Sequence, residues 1–195
     1  MNIPTINKAN EMFNDAVRRN PGAWENHSLL VADCASTISK QCKNLDADAA
    51  YIFGLLHDIG RREGITTMRH IYDGYLYLKG QRYDDAARIC LTHSFPLKSV
   101  HAYSGENDCT KDETSFINDY LQNIEYSDYD KLIQLCDALA YPTGVSLIEK
   151  RLIDVTMRHG FNEYTLPKWE AFFNLKNEFD SKCNCNIYRL FDIHF

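Results

Sequence analysis

Between residues 49 and 64 the chain reads AAYIFGLLHDIGRREG, and the apolar run from Ala49 to Leu56 leads straight into His57 and Asp58. An imidazole and a carboxylate therefore sit where the pattern assigns core, and an ionised Asp there costs several kcal/mol unless something compensates it. The combination recurs. His27 shares a helical stripe with Leu30, Val31, Cys34 and Ile38, and His70 shares one with Ile71, Gly74, Tyr75 and Leu78. His93 ends RICLTH, and Asp137 is embedded in LIQLCDALA. A lone His on such a stripe is most simply a hydrogen-bonded core residue, and a lone Asp there bonds a helix end or an arginine. Six such groups, with no Arg or Lys on the same faces, would remain uncompensated unless they shared a cation. Imidazole nitrogen with carboxylate oxygen is the donor set of zinc, iron, manganese and nickel sites, reached at about 2.0–2.2 Å. The sequence thus points to a divalent transition metal, one or two ions, held by His27, His57, Asp58, His70, His93 and Asp137.

The elements that must position these groups are helices. Strand signals are nearly absent and the 3.6-residue period recurs throughout. Helices are expected over about 7–19, 23–43, 46–59, 67–79, 83–94, 112–123 and 127–141. His57 and Asp58 would lie in the last turn of the third, and Gly60 would stop it. Pro96 ends the fifth at His93. Ser127 and Asp130 resemble a capping box. Residues 96–112 read as a surface loop. Two or three helices fill 144–192, with Trp169, Phe172, Phe173 and Phe179 as core aromatics. No repeat, low-complexity tract or linker divides the chain, so a single helical domain over 1–195 is expected.

Composition narrows the function classes. At 195 residues, with 45% apolar and 25% charged side chains, the chain can bury a core without disulfides. No window is apolar over the roughly 18 residues of a membrane span. The N-terminal stretch lacks an apolar signal core, and the seven cysteines are odd in number, four of them on apolar helical patterns. A cytoplasmic setting is the expectation. A net charge of -6 without a basic stripe disfavours extended nucleic-acid binding, although a small anion could bind where positive charge is local.

The order His27, His57-Asp58, Asp137, with HDIG at 57–60, resembles the signature of the HD-domain metal-dependent phosphohydrolase superfamily. His70 followed by Gly74, then His93, is similar to the six-ligand, binuclear branch that includes bacterial diadenosine tetraphosphate hydrolases. Two features depart from that branch: only eleven residues separate Asp58 from His70, and Arg61 stands where a Lys often follows HDIG. The resemblance covers about residues 22–142, leaving 143–195 as a C-terminal helical extension, and it implies an all-α, phosphodiesterase-like helical bundle. It further implies that His27, His57, Asp58 and Asp137 hold a first metal, and that Asp58, bridging, holds a second with His70 and His93. His57 and Asp58 would be the catalytic pair, acting on a small phosphorylated substrate, a nucleotide or other phosphate ester. An HD-fold di-iron oxygenase and a non-catalytic metal-containing module are the alternatives. No nucleobase-reading motif is recognisable, and the sequence leaves oligomeric state open.

Four further residues are candidates for substrate contact. Arg61 and Arg62 follow the metal helix and could clamp phosphate bidentately, although arginines after a helix end are usually solvated. Lys98 and His101 lie on the polar 96–112 segment, where simple surface exposure is the plainer reading. Cys183 and Cys185, in KCNCN, lack a second ligand pair for metal binding. His159 and His194 have no identifiable partners and read as structural or exposed.

Overall fold

The computed structural model describes residues 1–141, 143–191 and 193. The described residues form nine α-helices: α1 (Ile6–Arg19), α2 (Trp24–Ser39), α3 (Ala47–Leu56), α4 (Arg69–Gly80), α5 (Asp84–Thr92), α6 (Lys111–Asn123), α7 (Asp128–Leu139), α8 (Ile148–His159) and α9 (Thr165–Cys183). The only β-structure among them is an antiparallel pair, β1 (Ala140–Tyr141) with β2 (Gly144–Val145), which ends the last expected core helix two residues early. The all-α expectation holds.

The main apolar cluster joins α1, α2, α3, α5, α7 and α9 through Phe13, Ile38, Leu55, Ile89, Leu132 and Phe179. Each fully buried aliphatic or aromatic side chain contributes about 1.5–3 kcal/mol relative to exposure. A smaller cluster of Met68, Ile71, Leu91, Phe95, Ile117 and Leu121 joins α4 and α5 to α6. α2 and α3 approach so closely that a Cβ on Gly54 would lie 2.6 Å from Ala32 Cα.

Polar contacts set the register of the helices that carry the candidate ligands. Asp46 caps α3, accepting from the Ala49 N–H at 2.7 Å. The Ser127–Asp130 capping box is present on α7. Its Asp130, fully buried, also accepts from Arg88 at 2.6 Å and from Thr92 Oγ1 at 2.7 Å, fastening α5 to α7.

Three local expectations change. α3 ends at Leu56 rather than near 59: Asp58, at φ -102° and ψ 13°, leaves the helical region and the chain tightens into a 3₁₀ turn over Ile59–Glu63. The cause is packing, because Gly60 lies flat on α4, where a Cβ would come 2.4 Å from the Gly74 nitrogen. The 96–112 segment is only partly surface. It contains a 3₁₀ turn with buried Val100 and Ala102, and its Asp108 accepts from the N–H groups of Thr67 and Arg69 at the start of α4. Of the expected C-terminal core aromatics Phe179 is buried, whereas Trp169, Phe172 and Phe173 are half-buried.

Candidate metal centre

Five segments deliver the six candidate ligands to one place. His27 is in the first turn of α2, His57 caps the C-terminus of α3, and Asp58 follows it. His70 opens α4, His93 caps α5, and Asp137 is near the end of α7. His27 Nε2 lies 2.9 Å from Asp137 Oδ1. Around Asp58, the Nε2 atoms of His57, His70 and His93 lie 3.8, 3.0 and 3.5 Å from the same oxygen, Oδ1. Two overlapping groups result, His27–His57–Asp58 and Asp58–His70–His93, each with its donor atoms within 4.8 Å of one another. His57, Asp58, His70 and His93 are buried, while His27 and Asp137 are each 23% exposed and face a cavity.

The imidazoles are held in one orientation. His57 Nδ1 donates to the Gly54 carbonyl at 2.6 Å, His93 Nδ1 to the Cys90 carbonyl at 2.9 Å, and His70 Nδ1 to the Thr67 carbonyl. A carbonyl oxygen only accepts, so each Nδ1 carries a proton and each ring turns its Nε2 toward Asp58; for His57 and His70 that Nε2 is a bare lone pair, whereas at His93 burial is outweighed by Asp58 and Asp137, which raise it. Nε2 of His57 and of His70 is buried and makes no hydrogen bond among the described residues. Lone pairs aimed at a carboxylate oxygen repel it unless a cation or a proton lies between them. Backbone-anchored imidazoles with converging Nε2 atoms and two carboxylates are the donor set of a divalent transition metal, and the residues fit one.

Burial pushes His57 down to about 4, against the pull of Asp58 and Asp137, so it is neutral at pH 7. Burial likewise lowers His70, with Asp58 opposing. Burial alone would raise the Asp58 carboxyl, but Arg61, His70 and His57 hold it well below the usual carboxylate range. Asp137 is lowered in the same way, burial being outweighed by His27, His57 and His93. Neutral imidazoles with ionised carboxylates are the ligand-competent forms.

One feature corrects the sequence reading. The cluster is not without a cationic side chain, for Arg61 Nε donates to Asp58 Oδ2 at 2.6 Å. Arg61 lines the cavity, and its guanidinium is engaged with the candidate ligand Asp58 and the Thr66 carbonyl. The other three substrate candidates do not line this cavity. Arg62 is buried, stacked 3.9 Å over the Tyr77 ring and paired with Glu63. Lys98 donates to the Ile124 carbonyl and faces Glu125. His101 is exposed beside a separate surface depression with Lys111 and Asn118. The sequence offered these three as possible contacts because they follow the HD helix or lie on a polar segment, with solvated exposure as the plainer reading. The 3₁₀ turn and the 96–112 packing direct them elsewhere.

The cluster opens into a cavity of about 740 Å³. One wall comes from residues 102–105, with Tyr103 and Ser104, and from Trp24 and Leu30. The other comes from α8 and α9, which contribute Arg151, Arg158, His159, Lys168, Trp169 and Phe172. Lys168 Nζ donates to the Ala102 carbonyl at 2.6 Å and to Ser104 Oγ, and burial pushes it down to about 8, with Asp137 acting against the shift. Sequence reasoning missed this wall. Its signal was Lys168 heading the α9 stripe Phe172, Leu175, Phe179, Cys183, a lysine where an apolar residue would continue the pattern. His159 is exposed at the same wall, His194 lies outside the described residues, and Cys183 Sγ lies 3.3 Å from Cys42 Sγ, away from the cavity lining.

The family model of the HD domain matches residues 24–141, more than half of the chain. The chain belongs to the HD domain family. Comparison with curated proteins and with solved structures finds no match. The matched span holds all six candidate ligands and excludes α8 and α9. No helix among the described residues is long and apolar enough to cross a membrane.

Proposed function

We propose that the protein is a metal-dependent phosphohydrolase acting on a small nucleotide or other phosphate ester, with the six-ligand arrangement similar to that of bacterial diadenosine tetraphosphate hydrolases. The observation that carries the reading is the convergence of three Nε2 atoms, each ring fixed by an Nδ1–H to carbonyl bond, on Asp58 Oδ1 at the floor of a cavity. His27, His57, Asp58 and Asp137 would hold one divalent ion, and Asp58, His70 and His93 a second. Bound there, such ions lower the pKa of a coordinated water toward neutrality and neutralise phosphoryl oxygens. The chain's own part is orientation and exclusion. Asp58 and His57 fix the floor of the site, and Arg61 holds the second oxygen of Asp58 in place. Trp169, Phe172 and Tyr103 line the cavity and would displace water from it around a bound substrate. Iron, manganese, zinc and nickel all suit the donors. The cysteine pattern keeps a cytoplasmic setting as the expectation.

A phosphate-release screen of metal-replete protein across nucleoside mono-, di- and triphosphates and dinucleoside polyphosphates tests the reading. Release that disappears in Asp58→Ala is the expected result. Absence of release from every compound, with oxygen consumed when iron is bound, would favour an oxygenase instead.

A further inference from the structure

The cavity's charged lining is unbalanced away from the metal cluster. Its cationic side chains are Arg61, Arg151, Arg158 and Lys168, and its carboxylates among the described residues are Asp58 and Asp137. Arg61 is taken up by Asp58, and Arg158 by Asp154 at 2.8 Å. Asp137 faces His27. Among the described residues, Arg151 and Lys168 have no carboxylate within ion-pair distance. The other α9 lysines behave differently: Lys176 pairs with Asp180 at 2.5 Å and Lys182 with Asp128 at 2.6 Å.

Lys168 is the more telling of the two. It is half-buried, and a lysine drawn this far out of water ordinarily has a charged partner. Here its ammonium donates to two neutral acceptors, the Ala102 carbonyl and Ser104 Oγ, and the side chain lines the cavity. Holding an ammonium in this desolvated position works against folding, as its lowered pKa indicates. An anion entering the cavity would supply the missing partner. The cavity, at about 740 Å³, falls within the roughly 300–1,000 Å³ of sites that enclose a drug-sized ligand, far more than one phosphoryl group at the cluster needs.

We propose that Lys168 and Arg151 form an anion subsite distinct from the metal cluster, and that the substrate carries a second phosphate, bound there, in addition to the one held at the cluster. The inference rests on the phosphohydrolase reading for the first phosphate. It makes the α8–α9 wall, outside the family-matched residues, the part of the chain that selects among phosphate compounds.

Trp24 and Trp169, the chain's two tryptophans, both line the cavity, so intrinsic fluorescence reports binding. The test is titration of metal-loaded protein with methylphosphonate and with a series of alkane bisphosphonates of increasing spacer length, with metal content verified afterwards. None of these probes can be hydrolysed, so turnover does not enter. A charge-assisted hydrogen bond is worth about 1.5–3 kcal/mol, so at least one bisphosphonate should bind about tenfold or more tightly than methylphosphonate. Lys168→Gln and Arg151→Gln should each lose most of that preference while methylphosphonate affinity stays unchanged, and Lys168→Arg should retain it. Bisphosphonates that bind no better than methylphosphonate, or a preference that survives both Gln variants, would overturn the subsite and leave the hydrolase reading standing. Tight bisphosphonate binding that depends on Lys168, with no methylphosphonate binding, would support the subsite and count against the reading of the cluster. If no probe bound at all, both would fall.

Discussion

Replacing Arg61 with Met removes the guanidinium from Asp58 while keeping an apolar stem of similar length. In the metal-free protein, Arg61 Nε to Asp58 Oδ2 at 2.6 Å is the one ion pair that Asp58 makes with a permanently charged side chain among the described residues. The carboxylate is 5% exposed and the arginine 29%. Removing one partner of a buried pair costs about 3–5 kcal/mol, because the other charge is left uncompensated. The partial exposure of Arg61 admits some water and puts the expected loss at the lower end, about 3 kcal/mol. For a chain of this size that lowers Tm by about 6–12 °C. A bound divalent cation would compensate Asp58 in place of the guanidinium, so saturating metal should recover more than half of the deficit. Thermal melts of wild type and Arg61→Met, each with chelator and with added manganese or zinc, measure both quantities. A metal-free variant as stable as wild type would refute the electrostatic reasoning. So would a deficit that metal leaves unchanged, since the cation would then not be meeting Asp58.

Gly60→Ala would put a Cβ 1.9 Å from the His70 carbonyl oxygen, and backbone cannot yield as a side-chain tip would. A loss at or beyond the upper end of about 1–3 kcal/mol is expected, with weakened metal retention as α4 moves; a variant melting with wild type would contradict the close packing. His70→Ala should lower metal content from about two ions to about one with the fold retained, and unchanged stoichiometry by elemental analysis would mean that His70 is not a ligand. Lys168 offers a pH test. Its folded pKa, about 8, is below its unfolded value of 10.5, so between those values the unfolded chain binds more protons and stability rises with pH. Relative to Lys168→Met, wild type should therefore gain on the order of 3 kcal/mol from pH 7.5 to pH 10.5, and parallel pH–stability curves would contradict a desolvated ammonium.

Much of the ligand constellation was legible because each member broke an apolar helical stripe: His57 and Asp58 after AAYIFGLL, His70 beside Ile71, and Asp137 within LIQLCDALA. Helix periodicity carries that information locally. The Arg61–Asp58 pair was not legible, because it depends on the 3₁₀ turn that α3 makes when Gly60 meets α4, a tertiary contact with no periodic signature. That Arg62, Lys98 and His101 lie off the cavity lining was not legible for a related reason. Their nearness in sequence to the HD helix or to a polar segment says nothing about which side of the packed helices they face. The α8–α9 wall was overlooked because Trp169 and Phe172 read as core aromatics, and an aromatic on an apolar stripe looks the same whether it meets a helix or a cavity.

The central claim is that the convergent Nε2 atoms and carboxylates exist to bind metal. Elemental analysis of protein purified without added metal, wild type beside Asp58→Asn, tests it most directly. Wild type should carry at least about one transition-metal ion per chain, and Asp58→Asn, whose amide has no formal negative charge to offset a dication, should carry far less. A wild type that stays metal-free even after dialysis against manganese, iron, zinc and nickel, or an Asp58→Asn protein that keeps the full content, would contradict it.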